Sequence, residues 1–122
     1  MDIELVISRD CNLDCNYCFE GKKSKDKMQL IYINQIIEFI DSYLKENFIY
    51  TKDYVRIDFN GGEPLLNENF IFAFINHAKS INKTYNYSIT TNGTLLSKKI
   101  ISFIKENNIN LQISLDGKQR LR

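Results

Sequence analysis

The feature that most constrains this chain is a cluster of cysteines. All three of its cysteines, Cys11, Cys15 and Cys18, fall within residues 11–18 with the spacing C-x3-C-x2-C. Three thiolates on one short segment can hold three irons of a four-iron cubane and leave the fourth iron open. An open iron is a place where a molecule can be bound and cleaved, so the rest of the sequence is interpreted around it.

Two other thiol chemistries compete with an iron–sulfur cluster. Structural zinc takes four ligands, and the only histidine, His77, falls in the middle of a predicted helix. A redox pair built from Cys15 and Cys18 would leave Cys11 without a role. The ligand count therefore favours the cluster, while a zinc-binding or thiol-redox module stays open as an alternative.

Composition limits the class of protein. The 122 residues fit one small domain, and the formal net charge of +1 does not provide the basic face of a nucleic-acid binder. No apolar run reaches the roughly 18 residues that span a bilayer, and a signal-peptide pattern is not evident. Secreted proteins favour even, dispersed cysteine sets. We expect a cytoplasmic protein without nucleic-acid or membrane partners.

Strand-like and helix-like segments alternate along the chain. The predicted strands are Ile3–Ser8, Tyr54–Phe59, Tyr85–Thr90 and Leu111–Leu115. The predicted helices are Leu30–Asn47, Glu68–Ile81 with Asn67 as its N-cap, and a third that begins after the capping residue Ser97. In the third helix we expect four apolar residues on the buried side, Ile100, Ile101, Phe103 and Ile104. This order predicts a parallel α/β sheet with right-handed crossovers and a functional site after the carboxyl ends of the strands.

Apolar and polar residues alternate within the predicted strands. A parallel strand that is buried on both faces reads as nearly continuous aliphatic residues, so one face is predicted to pack on the helices. The other face, with Arg56, Ser88 and Ser114, is predicted to line a wet lumen, although a face simply open to solvent is the alternative. Four strands and three helices do not close a barrel. The predicted fold is therefore a (β/α) half-barrel, the N-terminal part of a partial TIM-like barrel, with residues 1–122 as an incomplete domain.

The cysteine spacing, with Tyr17 at the aromatic position, resembles the cluster segment of the radical S-adenosylmethionine (radical SAM) superfamily. Three further motifs follow in the order that this family has them. They are Gly61-Gly62-Glu63-Pro64, similar to the GGEP segment, Thr90-Thr91-Asn92-Gly93-Thr94-Leu95-Leu96, similar to TNGTLL, and Ser114-Leu115-Asp116-Gly117, similar to SLDG. The last two resemble the branch with C-terminal SPASM extensions, which includes peptide maturases and anaerobic sulfatase-maturing enzymes. The resemblance runs from Ile3 to Gly117, in the N-terminal half of such proteins, and departs at Lys118, where relatives commonly have proline.

The resemblance implies site residues and cofactors. Cys11, Cys15 and Cys18 would ligate a [4Fe-4S] cluster whose open iron chelates S-adenosylmethionine. The implied cofactor-binding residues are Tyr17, Gly61, Gly62, Glu63, Asn92, Ser114 and Asp116. In relatives the GGEP segment receives the ammonium group of the methionine moiety, and a carboxylate is a suitable acceptor for a cation. Turn formation or capping is the alternative role for Asn92 and Asp116.

The same resemblance implies an activity. The reduced cluster would cleave S-adenosylmethionine, and the 5′-deoxyadenosyl radical would take a hydrogen atom from a peptide or protein side chain. An electron donor such as a flavodoxin or a ferredoxin would be the second partner. The alternative is a truncated, non-catalytic iron–sulfur or peptide-binding module that only docks a partner.

Overall fold

A strand followed by a helix is the repeating unit of residues 1–9, 27–47 and 55–114, the parts of the chain that the computed structural model describes. Their strands are β1 (Asp2–Ser8), β2 (Arg56–Gly61), β3 (Asn86–Thr91) and β4 (Asn110–Ile113). Their α-helices are α1 (Ile33–Glu46), α2 (Glu68–Ser80) and α3 (Lys98–Glu106), and single 3₁₀ turns, Leu30–Tyr32 and Pro64–Asn67, precede α1 and α2. The strands are parallel in the order β1-β2-β3-β4. The predicted parallel α/β half-barrel is confirmed.

The strand ends differ from the predicted ones by one or two residues. β2 continues past Phe59 to Gly61, and β3 continues past Thr90 to Thr91. The hydrophobic pattern stops at Phe59 and Ile89, whereas the ladder is extended by backbone pairs such as Ser8 with Gly61. Such backbone pairs do not depend on apolar side chains, so the alternation of apolar and polar residues does not predict them. The predicted limits Tyr54 and Leu115 lie outside the described residues.

Aromatic residues fill the space between the sheet and α2. The Phe59 ring meets the Phe74 ring edge-on with centroids 5.8 Å apart, and it stacks on Tyr87 at 6.0 Å. Phe59 and Phe74 are fully buried, and burial of a side chain of this size contributes about 1.5–3 kcal/mol. The buried residues of α2 form the apolar face that its helical spacing predicts, Phe70, Ile71, Phe74, Ile75 and Ala78.

The outer helices follow their predicted faces with one exception. In α3, Ile100 is buried and Phe103 and Ile104 are partly buried, but Ile101 is 40 % exposed, so the prediction for Ile101 is wrong. Each residue of an α-helix is rotated by about 100° from the last, which turns Ile101 away from the sheet. None of the helices in the described segments has the length and apolar character needed to cross a membrane.

The two predicted N-caps have different outcomes. Ser97 caps α3, since its Oγ accepts a hydrogen bond from the Ile100 N–H at 3.2 Å. Asn67 occupies the predicted N-cap position of α2, but its side chain makes no cap hydrogen bond. The Asn67 amide is instead used in tertiary contacts at the edge of the sheet.

Asp58 organises the face of the sheet that points away from the helices. Its Oδ1 accepts hydrogen bonds from Ser88 Oγ at 2.6 Å and from Thr90 Oγ1 at 3.2 Å. Its Oδ2 accepts one from Asn60 Nδ2 at 2.8 Å. These bonds connect β2 to β3 through their polar side chains, and they satisfy the buried hydroxyl of Ser88 and the partly buried carboxylate of Asp58.

The alternation of faces therefore follows the sequence pattern. Ile57 and Phe59, on either side of Asp58, are fully buried against the helices. Arg56 and Ser114 are exposed, and Ser88 bonds to Asp58 rather than to the helix side. The polar set thus lies on the inner face of the half-barrel.

Tyr85, which directly precedes β3, carries a buried hydroxyl without a hydrogen-bond partner among the described residues. Burial, and secondarily the negative charge of Asp41, raises the pKa of Tyr85 to about 12. Burial, with a smaller contribution from Tyr85, also raises the pKa of Tyr87. Because the folded state favours the neutral phenol, ionisation of Tyr85 does not reduce the free energy of unfolding below about pH 10 and reduces it as pH rises towards 12.

We expect Tyr85→Phe to leave the free energy of unfolding at pH 7 unchanged or higher, because it removes a buried hydroxyl that makes no hydrogen bond. At pH 11 the variant no longer carries a Tyr85 hydroxyl that can ionise. The difference in free energy of unfolding between variant and wild type should therefore be about 1 kcal/mol more in favour of the variant at pH 11 than at pH 7. Urea unfolding at both pH values measures this, with the exposed Tyr32→Phe as the matched control. A loss of more than about 1 kcal/mol at pH 7 would mean that the hydroxyl has a partner.

Candidate functional site

The carboxyl ends of the four described strands meet at one edge of the sheet, because parallel strands all run in the same direction. This edge, which we call the rim, carries the ends of β1, β2, β3 and β4 at Ser8, Gly61, Thr91 and Ile113. Five of the predicted site residues lie there, Gly61, Gly62, Glu63, Asn92 and Ser114. The rim is therefore the place to look for the predicted site.

Gly61 allows β1 and β2 to approach each other at the rim. Its φ is +144°, and a Cβ at this position would lie 2.0 Å from the carbonyl oxygen of Ser8. The Gly62 N–H donates to that same oxygen at 2.7 Å. The register of β1 shifts between Val6 and Ser8 to make the pairing with Gly61 possible. Only glycine fits such a contact between two backbones.

Glu63 is fully buried, and its carboxylate joins the turn after β2 to the turn after β3. Oε2 accepts hydrogen bonds from the Leu65 N–H at 3.0 Å and from Thr91 Oγ1 at 2.6 Å. Oε1 accepts one from the Asn92 N–H at 2.8 Å. Since an unpaired buried carboxylate costs several kcal/mol, these three donors are what allow it to be buried here.

Asn92 and Ser114 take part in the backbone of the rim. The Oδ1 of Asn92 accepts hydrogen bonds from the Thr94 N–H at 3.0 Å and from Thr94 Oγ1 at 2.7 Å, which makes Asn92 a turn-forming residue. The Ser114 N–H donates to the Thr91 carbonyl oxygen at 2.7 Å, while the residue itself is exposed. Contacts of these two residues with a cofactor stay predictions.

The described residues on either side of residues 10–26 pair with each other. Ser8 and Lys27 form an antiparallel bridge, and the Met28 N–H donates to the Ile7 carbonyl oxygen at 2.9 Å. The residues that flank this segment, Ser8 and Lys27, are therefore adjacent at the rim, beside Gly61. Four predicted site residues within the segment lie outside the described residues, Cys11, Cys15, Tyr17 and Cys18, and Asp116 does so as well.

The described residues do not supply a donor set for a metal. Within residues 1–9, 27–47 and 55–114 there is no group of three His, Cys, Asp or Glu side chains that could hold a metal ion. His77 lies near the carboxyl end of α2, at the end of the helix away from Glu63. The three thiols of residues 10–26 form a soft donor set, which fits an iron–sulfur cluster.

The sequence does not predict the tertiary contacts that Thr91 and Asn67 make. Thr91 donates a hydrogen bond to the buried Glu63. The sequence contains a signal for such a contact, because Thr91 is a polar residue that follows Tyr87 and Ile89 on the helix-facing side of β3. Asn67 carried no such signal, because an asparagine before a helix is fully explained by capping.

Comparison with known proteins gives one consistent family. Residues 5–119 match the Radical SAM superfamily. The radical SAM cyclopropyl synthase TigE of Paramaledivibacter caminithermalis is 32 % identical over 97 % of this chain and 27 % of its own length. A cysteine-type anaerobic sulfatase-maturating enzyme of Clostridium novyi is 34 % identical over 93 % of this chain and 32 % of its own.

A solved structure agrees with these relatives. Native anSMEcpe with bound AdoMet and Cp18Cys peptide superposes with a TM-score of 0.72 at 27 % identity, over 95 % of this chain and 31 % of that one. The chain thus spans about a third of the length of the relatives it matches.

We expect Gly61→Ala to lower the free energy of unfolding by at least about 3 kcal/mol, because the new Cβ meets a backbone oxygen that cannot move aside. Gly93→Ala is the matched control: its φ is also positive, at +83°, but its Cβ would lie 3.4 Å from the flexible side chain of Ile113. We expect Gly93→Ala to lower the free energy of unfolding by about 1–2 kcal/mol. Urea unfolding of both variants measures the difference, and equal losses would show that the Ser8 contact is not the cause.

Proposed function

The chain belongs to the radical SAM superfamily, and we propose that it forms part of the core of an enzyme that uses a [4Fe-4S] cluster and S-adenosylmethionine to modify a peptide or protein side chain. One observation carries the proposal. Ser8 and Lys27, which flank the cysteine-bearing residues 10–26, pair with each other at the rim, and the Ser8 carbonyl oxygen accepts a hydrogen bond from the Gly62 N–H of the Gly61-Gly62-Glu63 turn. The superfamily match over residues 5–119 supports the same assignment.

We assign the cluster ligands to Cys11, Cys15 and Cys18. When bound, the cluster would supply the electron for reductive cleavage of S-adenosylmethionine, and the cleaved cofactor would provide the chemistry that removes a hydrogen atom from the substrate. The chain's part is to hold the thiolates beside the Gly61-Gly62-Glu63 turn. A flavodoxin or a ferredoxin would supply the electron.

We assign the methionine end of S-adenosylmethionine to the turn at Gly61-Gly62-Glu63. The three donors around Glu63 occupy three of the roughly four acceptor positions of a carboxylate. The remaining position, on Oε1, would suit an ammonium group, since a buried negative charge favours a cation. Because Glu63 is fully buried here, the cofactor would have to displace the atoms that cover Oε1. The other residues that we assign to this cofactor are Tyr17, Asn92, Ser114 and Asp116.

A peptide or protein substrate is supported by two kinds of observation. The relatives include a sulfatase-maturating enzyme, and the solved structure of anSMEcpe contains a peptide. The inner face of the half-barrel carries polar side chains, among them Asp58, Thr90 and Gln112, that suit a polar substrate. Enclosing the radical on this face would keep water away from it.

We expect the chain to take up about four iron atoms after anaerobic reconstitution with iron and sulfide. The product should absorb broadly in the visible and give a paramagnetic signal on reduction, whereas Cys11→Ala, Cys15→Ala and Cys18→Ala should each fail to hold the cluster. Iron analysis and paramagnetic resonance measure this, with His77→Ala as the control that keeps its iron. If the wild type binds zinc instead of iron and His77→Ala does not, the zinc-binding alternative is correct.

We expect Glu63→Ala to keep the cluster, whose thiolates are not on this turn, but to bind S-adenosylmethionine at least about tenfold more weakly. The substitution removes a charge-assisted hydrogen bond to the cofactor and also the three hydrogen bonds that hold the turns after β2 and β3 together. Calorimetric titration of the reconstituted protein measures the affinity, and iron content and circular dichroism verify that the variant is intact. Thr91→Val is the companion variant, because it removes one support of Glu63 and keeps the carboxylate. Unchanged affinity in Glu63→Ala would remove Glu63 from the cofactor site.

A further inference from the structure

The side-chain amide of Asn67 joins the two chain segments that enter and leave residues 10–26. Its Nδ2 donates to the carbonyl oxygen of Ile7 at 2.8 Å and to that of Met28 at 3.1 Å. A primary amide has two N–H donors, so both are used on these two carbonyls. The Ile7 oxygen also accepts from the Met28 N–H at 2.9 Å. Asn67, Ile7 and Met28 therefore form one closed junction at the base of the cysteine-bearing segment.

Local structure does not account for this use of Asn67. An asparagine before a helix usually accepts a hydrogen bond from an N–H of the first turn, and Asn67 makes no such bond to α2. Both of its donors go instead to residues 60 and 39 positions away in the sequence. The Asn67 side chain therefore makes tertiary hydrogen bonds to Ile7 and Met28, although its position would allow it to cap α2.

The junction is connected to the Gly61-Gly62-Glu63 turn by a single 3₁₀ turn. Pro64–Asn67 begins directly after Glu63, and Asn67 ends it. Glu63, at the start, is fixed to Thr91 and Asn92, while Asn67, at the end, is fixed to Ile7 and Met28. One short rigid element thus holds both groups of contacts at the rim.

From this geometry we propose that Asn67 is a positioning residue, which fixes the base of the cysteine-bearing segment against the 61–67 turn and so sets the thiolates relative to the residues assigned to S-adenosylmethionine. The inference rests on the proposed function for its cluster, but the junction itself consists of described residues. Loss of the two Asn67 donors should loosen the junction without unfolding the sheet, because the pairing of β1 with β2 does not pass through Asn67.

The test compares Asn67→Asp with Asn69→Asp. The first keeps the size of the side chain and its ability to cap α2, but it removes both N–H donors. The second makes the same charge change at an exposed asparagine in the first turn of the same helix. Asn67→Ser is a further variant that adds no charge and whose side chain is one atom shorter. Amide exchange across β2 and circular dichroism show whether each variant retains its sheet.

The first measurement is hydrogen exchange at the Met28 amide in the metal-free chain. We expect exchange to be at least about tenfold faster in Asn67→Asp and Asn67→Ser, with Asn69→Asp and the β2 amides as in the wild type. The second measurement is the rate at which the reconstituted protein releases iron to an excess of chelator. We expect about a tenfold faster release in the two Asn67 variants only.

The outcomes separate the inference from the proposed function. Unchanged exchange at Met28 in both Asn67 variants would overturn the junction. Faster exchange with unchanged iron release would overturn the positioning role, while the wild type's cluster would still support the proposed function. If the wild type takes up no iron, the proposed function and the positioning of thiolates both fail, and exchange at Met28 then reports only on the fold.

Discussion

The buried carboxylate of Glu63 is the contact on which the arrangement of the rim depends. It lies between the ends of β2 and β3, and its donors come from its own turn and from Thr91 and Asn92. A charge in the interior is tolerated only where donors surround it, so the two turns are held in one arrangement. The close contact of Gly61 with Ser8 extends that order to β1.

How far the sequence predicts this structure differs from one element to the next. α2 is predicted to within a residue, because its apolar residues recur at helical spacing over its whole length. The ends of β2 and β3 are predicted less well, since Asn60 and Thr91 pair through their backbones and carry no apolar signal. The motif pointed to Glu63, but its bond to Thr91 spans 28 residues, and such pairings follow only from the folded chain.

The two faces of the sheet have different roles. The helix side is an aromatic and aliphatic core around Phe59 and Phe74, and its burial supplies most of the stabilising free energy. On the inner side, Asp58 is satisfied by its neighbours Asn60, Ser88 and Thr90. This internal bonding means that the polar face is stable without a bound molecule, so a site can be present before anything occupies it.

The bridge between Ser8 and Lys27 has a consequence for how such a chain can evolve. Because the residues on either side of a segment pair with each other, the number of residues in the segment can change without moving the neighbouring strands. Doubling the length of a closed loop costs only about 0.6 kcal/mol in chain entropy. Changes in the number of residues between Arg9 and Lys27 should therefore cost the sheet little, so that this segment can vary in length, outside its cysteine motif, while the strands keep their arrangement.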